Sequence, residues 1–189
     1  MEEGLKAVVT FGKPASPFLC KGICGEKYKD CVYELNRLVR EDDLEEPLSK
    51  FISAVLRRLR VKRWIIVSFA DTAMNHHGYI YQACNFLYTG CTKERTDIYA
   101  GTGKHSRHYS DDDKNSGIRI VRSAKHRYVY FATYLKQEKQ EWRKSLQYPI
   151  LPYPKGNNNS DYILGEYLKP KLIETIDFLY QHGEIEQCK

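Results

Sequence analysis

The chain has 189 residues, enough for one domain with its own core and tight for two. Hydrophobic residues make up 42% and charged residues 29%, an ordinary globular composition with no long low-complexity tract. The formal charge of +6 is uneven: residues 61–155 hold 16 basic and 8 acidic side chains, so a polyanion is a natural partner there and a solvated face the plain alternative.

In chain order, LKAVVTFG (5–12) reads as a strand opened by a turn, and KPASPFLCKGICG (13–25) as a loop rich in Pro, Gly and Cys. CVYELNRLV (31–39) reads as a second strand. In PLSKFISAVLRRLR, Leu48, Phe51, Ile52, Val55, Leu56 and Leu59 recur at helical spacing and form one apolar stripe. Pro47 suits the first turn of that helix, and Arg57, Arg58 and Arg60 suit its C-terminal end. WIIVSFA has no polar alternation and is expected to be buried on both faces, as parallel strands are. Strand, helix and strand in that order predict a right-handed β-α-β unit. A second helix is expected over Asn75–Cys84 with Asn85 as a left-handed C-cap, and FLYTGC then returns as a strand. IRIVR and HRYVYFATY predict a β-hairpin turning at Ser123–Lys125. A helix over 135–146, a Pro-rich loop (YPILPYPKGNNN) and a final helix ending at Gly183 complete the chain.

The longest apolar run, around Trp64 to Ala70, is far too short to span a bilayer, and no apolar leader precedes a cleavage site. An intracellular protein with no membrane partner is expected, its six cysteines thiols rather than disulfides. Histidine and cysteine spacings give no paired ligand set of a structural zinc site.

Reactive groups of open α/β sheets collect beyond the C-terminal ends of strands. Asp71 falls there, after the WIIVSFA strand that carries Ser68, with Asn75 just beyond. Capping of the next helix is the mundane role for Asp71 or Asn75. KHSRHY supplies Lys104, His105, Ser106, Arg107, His108 and Tyr109, donors and an aromatic suited to phosphates and to a displaced base, or else an exposed basic loop.

YQACNF, from Tyr81 to Phe86, resembles the Y-x-x-x-G-F signature of GNAT acyltransferases, with Asn85 where Gly is usual. That resemblance implies a phenol at Tyr81 acting as general acid toward the departing thiolate of an acyl donor. VVTFGKPASP, ELNRLV, VSFADTAMNHHGYIYQACNFLYTGCTKERTD, KHSRHY and HRYVYF, in this order, are similar to the Mom family of phage DNA-modification proteins over roughly residues 5–155.

The resemblance implies an α/β fold, a GNAT-like mixed sheet with helices on both faces. It further implies a catalytic core over 1–134 and a basic C-terminal extension over 135–189, with the family's usual N-terminal strand and helices absent. It implies conversion of adenine to an N-methylcarbamoyl (acetamido-type) adenine in double-stranded DNA. The target base would be flipped out, the phage DNA shielded from restriction, and the protein cytoplasmic in the host cell.

On matching positions the catalytic candidates are Asp71, Tyr81, Asn36, Arg37 and Ser68, with Asp71 and Tyr81 sharing one cleft. Asn75, Gly78 and Tyr79 fall on the cofactor side. Fe(II) held by Asp71 and His76 is left open, as is acyl-CoA or another small donor. REDDLEEP, with five carboxylates and no glycine, stands where a pyrophosphate loop is usual and argues against CoA. Two alternatives remain: an acyl-CoA transferase acting on a small-molecule or protein amine, and a non-catalytic DNA-binding remnant.

Overall fold

The computed structural model describes residues 4–104, 108–115, 117–156 and 172–174. Eight strands appear among them: β1 (Ala7–Gly12), β2 (Val32–Arg40), β3 (Trp64–Asp71), β4 (Leu87–Cys91), β5 (Arg95–Ile98), β6 (Ile118–Arg122), β7 (Lys125–Ala132) and β8 (Leu172–Glu174). Five of them form the main sheet, in the order β1-β2-β3-β7-β4. β2 and β3 are parallel, while the β1–β2, β3–β7 and β4–β7 pairs are antiparallel. A smaller antiparallel sheet of β5, β6 and β8 grows from the connection between β4 and β7.

The apolar run of the third strand dictates this arrangement. Ile65, Ile66 and Val67 are fully buried because β3 sits mid-sheet with a helical layer on each side. One layer is α2 (Leu48–Leu59) with the short α3 (Tyr79–Ala83). Ile52 and Leu56 of the α2 stripe pack with Leu35, Ile66, Ala70, Tyr81 and Tyr128. A one-turn α4 (Asp111–Lys114) lies between β5 and β6, and the other layer is α1 (Pro17–Cys24) with α5 (Lys136–Ser145). Ile23, Cys24 and Trp142 there meet Val32, Ile65, Val67, Val129 and Phe131. Burying one such aliphatic side chain stabilises by about 1.5–3 kcal/mol, so both layers are bound firmly. No helix among the described residues is long and apolar enough to cross a membrane.

The expected β-α-β unit is β2, α2 and β3, yet its parallel pairing is brief. Only Val32–Ile65, Tyr33–Ile66 and Glu34–Val67 are in register, after which the two strands part. β2 bulges at the same place: Thr10 faces Arg37 and Phe11 faces Leu35, which leaves Asn36 as an extra residue. Leu35 and Leu38 both turn toward α2, and Asn36 and Arg37 between them are exposed.

Several local expectations change. The segment read as a loop over 13–25 contains α1, started by Pro17 at its first position, where the missing N–H costs nothing. The second helix contracts to five residues behind a 3-10 turn at Thr72–Met74, because Asn75 and Gly78 both take positive φ. Asn85 is left-handed as expected, at φ 59°. β6 and β7 do not form a hairpin: β7 pairs along its whole length with β3, and β6 leaves to join β5 and β8. Residues 172–174 of the expected final helix are a strand, and the remainder of that expectation lies outside the described residues.

Candidate functional site

Alternation along β3 sends neighbouring side chains to opposite faces of the sheet. Ile66, Ser68 and Ala70 look toward α2 and α3, whereas Ile65, Val67 and Phe69 look toward α1 and α5. The two leading catalytic candidates therefore separate.

Tyr81, on α3, is 9% exposed and packs its ring 5.4 Å from Phe86 and 5.3 Å from Tyr128. Its phenol lies beside Ser68, whose hydroxyl donates to the Leu35 carbonyl at 3.4 Å across the parting strands. Burial pushes the Tyr81 pKa up, the Ser68 hydroxyl opposes this, and the Glu34 charge adds to the rise.

Asp71 occupies the other side. Its carboxylate accepts from Ala73 N at 3.0 Å and from the Ser123 hydroxyl, and lies 3.4 Å from Lys125 Nζ. Burial raises its pKa, but Ser123, Ala73 N–H and Lys125 together hold the carboxyl below the usual range. Asp71 thus caps the 3-10 turn and ties the corner where the chain passes from β6 into β7. The structure does not bring Asp71 and Tyr81 onto one face, as the shared cleft required.

Glu34 emerges instead, from the last position of β2 that pairs with β3. It is half-buried, and burial pushes its carboxyl above the ordinary range while the Lys125 charge pulls it back. A carboxylate whose proton affinity is raised is a better base near neutrality. Glu34, in register with Val67 and therefore on the face opposite Ser68 and Tyr81, flanks with them the gap where β2 and β3 separate, and the exposed Asn36 and Arg37 of the bulge stand at its rim. Sequence reading passed over Glu34 because one acid in VYELNRLV looks like an ordinary outward position of a strand.

The other candidates are placed as follows. Gly78 precedes α3 with φ 71°, and a Cβ there would overlap the Tyr128 ring. Asn75, at φ 51°, ends the 3-10 turn. Tyr79 donates its hydroxyl to Gly156 O and accepts from Gly156 N, which pins the Pro-rich strap. These three have structural work that accounts for their residue types. Lys104 and His108 are exposed, and Tyr109 accepts from Ala100 N at 3.3 Å. His105, Ser106 and Arg107 lie outside the described residues.

A cluster not anticipated from sequence sits at the β4 end of the same face. His126 meets the Tyr88 hydroxyl at 2.9 Å through Nδ1 and stacks on His77 at 5.7 Å. Burial lowers the His126 pKa, and the nearby His77 adds to that. The strap covers this corner: Leu151 N donates to Tyr88 O, and the Tyr153 hydroxyl donates to Phe86 O at 2.7 Å.

Fit to a metal or cofactor is poor. Among the described residues no group of three or more His, Cys, Asp and Glu is placed to hold a metal ion. The Asp71 carboxylate is committed to Ser123, Ala73 and Lys125, and His76 N donates to the Asp71 backbone O. A CoA pyrophosphate fits no better. Glu45 and Glu46 stand just before α2 and Pro47 is its cap, so negative charge and a missing N–H occupy the place where amide donors would be needed.

A mixed α/β sheet with an acid, a hydroxyl and a phenol at the gap between two parallel strands is the class of architecture these elements define. The model of the Mom protein family matches residues 1–155, and the chain belongs to that family. No curated protein matches it individually.

Proposed function

We propose that this chain is a GNAT-like transferase that modifies the exocyclic amine of adenine in DNA, with its chemistry at the parting of β2 and β3. The Mom family is associated with phage DNA modification, which supplies the substrate class. The observation that carries the site is the gap between β2 and β3, flanked by Glu34 on one face of the sheet and by Ser68 and Tyr81 on the other.

Glu34 is the base and Tyr81 the acid. As the new N–C bond forms to the group being transferred, the adenine nitrogen becomes acidic and gives its proton to Glu34. The bond from the transferred group to the sulfur of a small thiol-borne donor breaks, and the departing thiolate takes the phenolic proton of Tyr81, which Ser68 orients. The transferred group is a methylcarbamoyl unit, and the product shields the DNA from restriction in the host cytoplasm.

Asn36 and Arg37 at the bulge meet the incoming nucleotide, while Asp71 holds the corner between β6 and β7. Lys104, His108 and Tyr109, with the intervening His105, Ser106 and Arg107, take phosphates beside a flipped base. Neither acyl-CoA nor an iron ion carries a step, since the residues present do not suit either.

The test is a nucleoside digest of plasmid DNA from cells producing the protein, read by mass spectrometry. A deoxyadenosine heavier by the transferred group is expected, and it disappears with Tyr81→Phe. Unaltered deoxyadenosine from the folded wild-type protein would contradict the proposal.

A further inference from the structure

At the opposite end of β3 the sequence reads RRLRVKR, residues 57–63, five cations in seven positions. Arg57 and Arg58 close α2, Arg60–Lys62 form a 3-10 turn, and Arg63 takes a left-handed conformation before the strand begins. A helix C-terminus favours one or two positive charges, which accounts for Arg57 and Arg58. It does not account for the rest, which lie past the helix end.

Arg57, Arg58, Lys62 and Arg63 are exposed. Arg63 pairs with Glu138, but among the described residues no carboxylate pairs with Arg57, Arg58, Arg60 or Lys62. The half-buried Arg60 donates to the Tyr130 hydroxyl at 3.4 Å and stands over the Tyr134 ring at 5.6 Å, and its Nε has no hydrogen-bond partner. Tyr134 is 62% exposed and Val61 69%, so the surface also offers an aromatic face and an apolar patch. Unbalanced like charges held this close repel one another, and the arrangement is relieved by a multivalent anion rather than by any group of the described protein.

The geometry points to a second DNA-contacting surface, made of Arg57, Arg58, Arg60 and Lys62 around Tyr134, that grips duplex phosphates without reading bases. The choice of DNA over another polyanion rests on the proposed function. β2 and β3 part after Val67, four residues into β3, so this surface lies about 15 Å along the strand from the place where the site opens. That separation exceeds the width of a major groove, about 12 Å, so the phosphates held here are not those flanking the base being modified. The surface therefore retains a neighbouring stretch of the same DNA, or a second segment, while a base is presented at the other end.

The experiment compares the full-length protein with the triple variant Arg57→Gln, Arg58→Gln, Lys62→Gln, all at exposed positions outside the candidate site. Binding to a long linear duplex is measured across a salt series, with thermal melting as the check of folding. Each phosphate contact contributes about 0.9 to the slope of log affinity against log salt, so the variant's slope is expected to be shallower by roughly 2 to 3. Equal slopes for the two folded proteins overturn this surface and leave the proposed function standing. A wild-type protein that does not bind duplex DNA overturns both. Steep, variant-sensitive binding with no altered nucleoside in the DNA supports this surface and removes the proposed chemistry.

Discussion

Three single residues carry separable consequences. Gly78 combines a φ of 71° with a missing Cβ that would run into Tyr128. Left-handed strain of about 1–2 kcal/mol adds to overpacking of about 1–3 kcal/mol, so Gly78→Ala should cost about 2–5 kcal/mol. Differential scanning calorimetry should show the melting temperature lower by roughly 4–20 °C.

Asp71 and Glu34 have opposite signatures. The Asp71 pKa is lowered in the fold, so its contribution is present above the unfolded value and lost as pH falls through the folded one. The stability difference between wild type and Asp71→Asn should be full at neutral pH and shrink below about pH 4. The Glu34 pKa is raised, so its ionised form burdens the native state. Glu34→Gln should therefore stabilise the protein at neutral pH, with the gain fading as pH falls toward the acid range where wild-type Glu34 is protonated. Denaturant titrations at both ends of the range measure these signs. A residue that costs stability and lies in a gap between strands is kept for chemistry, which is the reading given to Glu34.

At the scale of elements, the helices on both faces depend on a few anchors. Trp142 of α5 is 1% exposed and packs 5.8 Å from Phe131 and 6.4 Å from Tyr28. Trp142→Ala should cost about 3–5 kcal/mol and weaken the α1–α5 layer, visible as a drop in the unfolding midpoint.

The patterns that sequence expressed most clearly were those whose burial is local: the stripe of α2, the unbroken run of β3, and α5. The pair IRIVR and HRYVYFATY misled because two short apolar runs with a brief gap carry the signal of a hairpin. In the fold, eight residues of β7 find eight partners on β3, and the Ser123–Asp71 and Thr72–Ala124 hydrogen bonds turn the chain between sheets. That outcome rests on contacts about fifty residues apart, which local periodicity does not encode. The candidate site was legible in part for the same reason. Tyr81 and Ser68 stood in a recognisable string, whereas Glu34 gains its meaning only once β2 is seen to part from β3.

Across the whole molecule, the basic turn at residues 57–63 lies at one end of β3 and the candidate site opens toward the other. A loop of carboxylates from Glu41 to Glu46 follows β2, beyond the bulge. DNA approaching that end would meet repulsion on the β2 side and positive charge on the side of β4, where Lys93 and Arg95 follow that strand. The two-sided arrangement predicts that added salt should weaken DNA binding steeply.

Chemistry through the gap between β2 and β3, with Glu34 on one face and Tyr81 on the other and no part for Asp71, is the claim on which the account turns. The most direct measurement is the fraction of modified deoxyadenosine formed by Glu34→Gln, Tyr81→Phe and Asp71→Asn, each matched to wild type for folded protein. Loss of a positioned acid or base should slow the first two by about a hundredfold or more, while Asp71→Asn keeps most of its activity. Full activity in Glu34→Gln together with its loss in Asp71→Asn would contradict the account.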